Sequence, residues 1–182
     1  MTKHALILVD IQNDYFEGGL WPVAKMAAVA AKAARLLAAA RAAGSLVIHV
    51  RHEMPSEQAP FFRPGSEGAA INPAVTPQDG EAVIVKARPN SFQGTDLLDR
   101  LRDAGIERVT ICGAMSQMCI DATTRAAVDH GFAVTVAQDA CGAKEVEFGG
   151  VTLTAEQVHA AFMAPLAMSY AKVMTTDEVL AG

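Results

Sequence analysis

The stretch VTICGAMSQMCIDATTRAAVDHGFAVTV, residues 109–136, contains the unit that decides the predicted fold. Apolar runs at 109–112 and 133–136 have the length and the branched residues of buried strands. Between them, residues 118–129 are predicted to form a helix that ends near Gly131. Parallel strands are joined by a crossover of about a dozen residues or more, usually a helix, so this stretch predicts a βαβ unit.

The same alternation of strand and helix extends along the rest of the chain. Further apolar runs that predict strands lie at 5–9, 46–50 and 82–85, with a weaker sixth candidate at 171–175. Helices are predicted at 23–43, 95–104 and 154–162, the last with Thr154 as its N-cap. Uninterrupted apolar strands indicate a parallel sheet that is covered on both faces, so the alternation predicts a three-layer α/β/α fold.

The composition is typical of a single globular domain, predicted over residues 1–182. Of the 182 residues, 51% are hydrophobic and 19% are charged, which suits a packed core and not a disordered chain. The net charge of −5 offers no basic surface for nucleic acid. The apolar run at the N-terminus leads straight into Asp10 and no apolar run reaches about 18 residues, so we expect neither a signal peptide nor a membrane span. Three cysteines without zinc-like spacing argue against disulfides, so we expect a cytoplasmic protein.

Three reactive side chains lie just beyond the carboxyl ends of predicted strands. Asp10 ends the first strand, Lys86 ends the third, and Cys119 opens the helix after the fourth. Open α/β sheets hold their sites beyond the carboxyl ends of strands, and these side chains converge if the first and fourth strands are neighbours. A thiol in the first turn of a helix faces unpaired N–H groups, which favour the thiolate. Together, a thiol, a carboxylate and an ammonium provide a nucleophile, a base and an electrostatic partner.

Each of these residues also has an ordinary structural explanation. Cys119 can be a small buried apolar residue, as most free cysteines are. Asp10 can cap the turn that follows it, although Asn13 and Asp14 fit that role better. Lys86 can reach solvent at the end of its strand. The set of three is therefore more specific than any one member.

The remaining cysteines and the histidines give weaker signals. Cys112, inside a predicted strand, is interpreted as core packing, and Cys141 as a structural or incidental residue of a loop. His49 and His52 form an HxxH pair at the end of the second strand, which leaves a metal contact open there. Only Glu53 lies close enough in sequence to complete such a ligand set.

Three motifs, in this order, resemble the isochorismatase-like hydrolase superfamily. They read ALILVDIQNDYFEGG at 5–19, VKARPNSFQGTDL at 85–97 and VTICGAMSQMCIDATTRAAVDHGFAVTVAQDAC at 109–141. The likeness covers nearly the whole chain and weakens at 52–79 and after Cys141. It implies a Rossmann-like α/β fold with a six-stranded parallel sheet flanked by helices, and a triad of Asp10, Lys86 and Cys119.

The resemblance also implies a role for each member of the triad. In relatives the cysteine attacks a carbonyl carbon, so Cys119 is the expected nucleophile, Asp10 the general base and acid, and Lys86 the electrostatic support. A cis peptide is implied between Ala114 and Met115, with an oxyanion hole formed by the backbone N–H groups of Met115 and Cys119. The predicted function is hydrolysis of a small-molecule amide or related C–N bond through a thioester, without a cofactor.

Two other functions stay open on the sequence. Relatives that hydrolyse the vinyl ether of isochorismate need no cysteine nucleophile, so Cys119 favours an amidase and the ether hydrolase is the alternative. A catalytically silent relative that binds a ligand is the third class, and it predicts a slowly alkylated Cys119 without a lowered pKa. Nicotinamidases of the superfamily bind zinc through an aspartate and histidines after the second strand. Here His52 stands near the place of that aspartate and no further histidine follows before His130, so no metal is predicted.

The substrate pocket is expected beside the loop at 52–79, which holds five of the eight prolines and is predicted to cross the surface. Its candidate aromatic walls are Phe16, Trp21, Phe61, Phe62 and Phe92. Arg88, like Arg51 and Arg63, is a candidate to bind a substrate carboxylate. Relatives are usually dimers or larger, so the expected partners are a small-molecule substrate and further copies of this chain in a homodimer or higher homo-oligomer.

Overall fold

A six-stranded parallel sheet forms the centre of the protein, and a computed structural model describes residues 3–182. The chain forms eight strands in the described part: β1 His4–Val9, β2 Leu46–His52, β3 Ala82–Lys86, β4 Arg108–Ala114, β5 Ala133–Gly142, β6 Val146–Phe148, β7 Val151–Leu153 and β8 Lys172–Met174. The central sheet has the order β3-β2-β1-β4-β5-β8, and all of its neighbouring pairs are parallel. β6 and β7 form a separate antiparallel hairpin.

Helices cover both faces of the sheet, which confirms the predicted three-layer α/β/α fold. They are α1 Met26–Ala42, α2 Leu97–Asp103, α3 Asp121–Asp129, α4 Ala155–Ser169 and α5 Thr176–Ala181. The side chains of β1 show the two layers, because successive residues of a strand point to opposite faces. Leu6 and Leu8 pack with Leu37 of α1, whereas Ile7 and Val9 pack with Leu101 of α2. None of the described helices is long and apolar enough to cross a membrane.

The ends of β1 and β4 lie side by side, which meets the condition for Asp10 and Cys119 to converge. Val9 is the register partner of Gly113, whose φ is 128°. A Cβ atom at position 113 would lie 1.9 Å from the carbonyl oxygen of Val9, so only glycine permits this close approach. The peptide bond between Ala114 and Met115 is cis, which confirms that prediction.

Several elements differ in extent from the prediction. α1 begins at Met26 and not at residue 23, and the helix predicted from residue 118 begins as a π-helical turn at Ser116–Ile120 that continues into α3. α4 runs to Ser169 and not to residue 162. A proline removes one backbone N–H, but the helix continues past Pro165 because Met163 and Leu166 are buried against the sheet.

β5 is the largest correction, since it has ten residues where four were predicted. The polar side chains of Gln138 and Asp139 interrupt its apolar run, and both have partners in neighbouring elements. Gln138 contacts His159 of α4, and Asp139 accepts hydrogen bonds from Thr176. Cys141 therefore lies in a strand and not in a loop, buried opposite Gly113.

The loop at 52–79 is fastened to the segment that follows β1. The side chain of Gln12 donates to the carbonyl oxygens of His52 and Ala69, at 2.9 Å and 2.8 Å, and accepts from the backbone N–H of His52 at 2.8 Å. The buried carboxylate of Asp14 accepts the backbone N–H of Phe62 at 2.7 Å. These contacts hold the loop over the carboxyl end of the sheet.

Candidate active site

The carboxyl edge of the sheet brings together the three side chains that the sequence singled out. Lys86 Nζ lies 2.7 Å from Asp10 Oδ2 and donates to Cys119 Sγ at 3.2 Å. All three residues are enclosed, with exposed fractions of 0% for Asp10, 2% for Lys86 and 4% for Cys119. β2 separates β3 from β1, and two strand spacings amount to about 10 Å. A side chain as long as lysine is needed to bridge that distance.

His52 is a fourth member of the cluster. It is the last residue of β2, and its Nδ1 lies 3.0 Å from Lys86 Nζ. His49, three residues earlier, points to the opposite face of the strand, where its Nε2 contacts Glu81 Oε2 at 2.9 Å. The two histidines cannot share a ligand, so the HxxH metal pair left open on the sequence is wrong. The sequence feature that could have assigned His52 to the site is its position at the end of β2, the strand between the ones that carry Asp10 and Lys86.

The electrostatics of the cluster define its resting protonation state. Burial raises the pKa of the Cys119 thiol, the charge of Asp10 raises it further, and Lys86 opposes both. Burial by itself lowers the pKa of Lys86, but the Asp10 carboxylate and the hydrogen-bonded Cys119 sulfur outweigh it and raise that pKa. Burial and the charge of Lys86 lower the pKa of His52. The resting site therefore contains a thiol, an ammonium and a neutral imidazole. The lowered thiol pKa expected at the start of a helix is not found, because burial outweighs the cationic neighbour.

The donor atoms of Asp10, His52 and Cys119 lie within 4.8 Å of one another, a spacing that a metal ion can bridge. The Lys86 ammonium already lies within 3.2 Å of all three residues and supplies the positive charge at their centre. A divalent ion among these donors would have to displace that ammonium. The geometry therefore favours a cluster of charge-assisted hydrogen bonds over a metal centre.

An aromatic cluster formed by Tyr15, Trp21, Phe61 and Phe62 lies next to the site. Trp21 stacks on Phe61 with ring centroids 4.7 Å apart, and Phe61 meets Phe62 edge-on at 5.0 Å. Phe62 connects this cluster to His52, 6.1 Å away. Three predicted wall residues thus come together. Tyr15, which the sequence did not single out, contacts Phe62 with ring centroids 4.6 Å apart, and burial raises its pKa.

The other proposed pocket residues lie outside this cluster. Phe92 packs against His130 and Phe132, with ring centroids 5.0 Å and 6.4 Å away. Phe16 makes no ring contact within the described residues. Arg88 is exposed.

The two arginines of the loop region have partners within the chain. Arg51 pairs with Glu53 at 2.8 Å, and Arg63 donates to the carbonyl oxygen of Ala59 at 2.8 Å. Neither guanidinium is therefore free to bind a substrate carboxylate without losing an existing contact.

The fold and the site together define a doubly wound α/β protein with a buried Asp–Lys–Cys cluster at the carboxyl edge of its sheet. The family model for the isochorismatase domain matches residues 4–178. The chain therefore belongs to the isochorismatase family, and it is an isochorismatase-family hydrolase.

Three relatives illustrate the match. The chain is 44% identical to the isochorismatase family protein YddQ of Bacillus subtilis over 176 residues, which cover 97% of this chain and 98% of that protein. It is 34% identical to the maleamate amidohydrolase of Pseudomonas putida over 155 residues, 77% of this chain and 72% of the relative. A solved isochorismatase-like hydrolase from Oleispira antarctica is 50% identical and superposes with a TM-score of 0.95, covering 98% of this chain and 96% of that one.

Proposed function

We propose that this protein is a cysteine hydrolase that cleaves an amide or related C–N bond of a small molecule through a thioester on Cys119. The observation that carries the proposal is the Lys86 ammonium, which contacts Asp10 at 2.7 Å and Cys119 at 3.2 Å inside an enclosed site. A carboxylate and a thiol held on one buried cation provide a base beside a nucleophile. Residues of a merely structural core would not require this arrangement of charges.

Acylation begins with transfer of the Cys119 proton to Asp10. The resting thiol is protonated because burial raises its pKa, so the thiolate forms only as the proton leaves. The sulfur then adds to the substrate carbonyl carbon, and the carbonyl oxygen becomes an oxyanion. Lys86 stabilises the thiolate while it exists, and Asp10 returns the proton to the departing amine as the C–N bond breaks.

The oxyanion is bound by the backbone N–H groups of Met115 and Cys119. These groups lie at the two ends of the nucleophile turn, the name used here for residues 115–120, which connect β4 to α3. The turn is closed by hydrogen bonds from the N–H groups of Met118 and Ile120 to the carbonyl oxygen of Met115, at 3.0 Å and 3.1 Å. Removal of one such donor typically lowers turnover by about 100- to 1000-fold.

Deacylation repeats the proton transfers with water as the nucleophile. Asp10 takes a proton from water, and the oxygen adds to the thioester carbonyl. Collapse of this second tetrahedral intermediate breaks the C–S bond and releases a carboxylic acid. Cys119 leaves as a thiolate and recovers its proton from Asp10, which restores the resting site.

Two observations support the choice of C–N bond and of a small substrate. The chain resembles a maleamate amidohydrolase over 155 residues, and that name describes hydrolysis of an amide. The reacting groups are at most 4% exposed, so only a small molecule, or a small part of a larger one, can reach Cys119. The adjacent aromatic cluster offers a planar, apolar wall to such a molecule.

The test is a panel of small amides, nicotinamide, ureido compounds and isochorismate, assayed by release of ammonia or amine and by loss of the vinyl ether. Cys119→Ala is expected to abolish C–N hydrolysis without unfolding the protein, and Cys112→Ala, at a buried thiol in β4, is the matched control that retains it. Mass spectrometry of the quenched wild-type reaction is expected to show an acyl group on Cys119 that hydroxylamine removes.

Other results of these assays would point to a different function. Full amide hydrolysis by Cys119→Ala would refute the thioester mechanism. Isochorismate turnover that survives the same substitution would identify the vinyl-ether hydrolase. The absence of turnover with every compound, and of any acyl-enzyme, would favour the ligand-binding relative.

A further inference from the structure

The nucleophile turn is fastened to the rest of the protein by a histidine outside the triad. Ser116 is the second residue of this turn and is completely buried. Its hydroxyl lies 2.9 Å from Nδ1 of His159 in α4 and 3.2 Å from the carbonyl oxygen of Gly142 in β5. His159 Nε2 lies 3.1 Å from Oε1 of Gln138, also in β5. One imidazole thus connects the turn, a helix and the sheet.

The hydrogen-bond partners identify the form of this histidine. Gln138 Oε1 can only accept, so Nε2 of His159 carries the hydrogen and Nδ1 is the acceptor. Burial lowers the pKa of His159, which agrees with a neutral ring. The Ser116 hydroxyl has a single hydrogen to donate and two acceptors within reach, Gly142 O at 3.2 Å and His159 Nδ1 at 2.9 Å. The shorter distance assigns the hydrogen to His159.

The position of Ser116 relates this contact to catalysis. Ser116 directly follows Met115 and precedes Cys119 by three residues, so it lies between the two residues assigned to the oxyanion hole. The side chain of Gln117 supplies a second attachment of the turn, a hydrogen bond to the carbonyl oxygen of Lys144 at 2.9 Å. Gln117 bonds to the loop after β5, whereas Ser116 is completely buried and its hydroxyl bonds to α4.

We propose that His159 is a positioning residue, which accepts the Ser116 hydroxyl and thereby holds the N–H groups of Met115 and Cys119 in place for the oxyanion. This inference rests on the proposed function, because an oxyanion hole matters only if Cys119 forms a covalent adduct. His159 touches no reacting atom, and its effect passes through Ser116. A displacement of about 1 Å in a reacting group can lower a rate by about 100-fold, so a hydrogen bond of this kind can have a large kinetic effect.

The test uses acylation of Cys119 by 4-nitrophenyl acetate, an activated ester, followed as a burst of nitrophenolate. His159→Leu removes the acceptor and retains an apolar side chain, and it is expected to lower the acylation rate constant by about 10- to 100-fold with little change in the half-saturating ester concentration. His159→Asn places an amide oxygen near the Nδ1 position and is expected to recover most of the loss. His130→Leu, at the end of α3, is the matched control and should leave the rate unchanged.

A double-mutant cycle separates positioning from general destabilisation. Ser116→Ala is expected to match His159→Leu, and the double variant is expected to be no slower than either single one, because both remove the same hydrogen bond. Thermal midpoints are measured for every variant. If His159→Leu does not fold, Ser116→Ala tests the proposal, because it removes the same hydrogen bond and leaves the His159 ring in place.

The outcomes also distinguish this inference from the proposed function. A normal burst in His159→Leu or Ser116→Ala, or losses that multiply in the double variant, would overturn the role of His159 alone. A burst that persists in Cys119→Ala, or release of nitrophenolate by the wild type with no acyl group on Cys119 under single-turnover conditions, would overturn the thioester mechanism and the positioning role with it. Equal loss in His159→Asn and His159→Leu would show that the ring fills space and does not orient Ser116.

Discussion

Replacement of Lys86 with methionine removes the positive charge that faces Asp10 and Cys119 and retains a side chain of similar length. The Asp10 carboxylate is completely buried, with Oδ2 2.7 Å from the Lys86 ammonium. Loss of one partner from a buried ion pair costs about 3–5 kcal/mol, because the other charge stays buried without compensation. One kcal/mol lowers the thermal midpoint of a domain of this size by roughly 2–4 °C, so the expected decrease is about 6–20 °C.

Thermal and urea denaturation followed by circular dichroism measure this loss against a matched exposed lysine. Lys25 also pairs with a carboxylate at 2.9 Å, that of Glu156, but the two side chains are 74% and 67% exposed. Lys25→Met is therefore expected to cost at most about 1 kcal/mol. Addition of Asp10→Asn to Lys86→Met removes the uncompensated charge and should restore stability without restoring activity. A Lys86→Met variant that is as stable as Lys25→Met, or that the added Asp10→Asn destabilises further, would contradict a buried ion pair at this position.

Three further predictions concern pH, backbone geometry and the resting thiol. Burial lowers the pKa of His49 below its usual 6.5, so below that pH the unfolded chain binds more protons than the folded protein and the free energy of unfolding should fall on acidification. His49→Gln should weaken this pH dependence in urea titrations at successive pH values, and an unchanged dependence would contradict a neutral, buried His49. Gly113→Ala places a Cβ atom 1.9 Å from the Val9 carbonyl oxygen and should prevent normal folding. Gly80→Ala, at φ 88° but with no atom within 4 Å of the added Cβ, should lower the free energy of unfolding by only about 1–2 kcal/mol, and equal effects of the two variants would argue against the clash. Alkylation of Cys119 by iodoacetamide should keep accelerating to and beyond pH 9.0, because burial raises the pKa of the thiol above that usual value, and a rate plateau near neutral pH would disprove a protonated resting thiol.

The last of these predictions changes how a silent relative can be recognised. Slow alkylation at neutral pH was expected only of a protein without catalysis. Burial raises the pKa of Cys119 in the resting site, so slow alkylation also agrees with a thiol that is activated by proton transfer to Asp10. Detection of an acyl group on Cys119 therefore distinguishes the two functions, and the alkylation profile does not.

The six strands of the central sheet, most of the helices and the three reactive residues could be predicted from the sequence, whereas the hairpin of β6 and β7 was not. Apolar runs at 5–9, 46–50 and 109–112 are local signals, since a buried strand must be apolar along its own length whatever its neighbours are. Asp10 and Lys86 stood out because each places a charge directly after such a run. The full length of β5 was missed because its polar residues Gln138 and Asp139 break the apolar run. Both are accommodated by partners that are distant in sequence.

The contacts among these residues depend on the tertiary structure. The strand order places β2 between β3 and β1, and this order makes Lys86 pass His52 on its way to Asp10. It also encloses Cys119, so burial and not the helix end sets the state of the thiol. Contacts such as that of Ser116 with His159 join residues 43 positions apart. Pairing, burial and charge compensation depend on which chain segments meet in space, and no local pattern in the sequence records that.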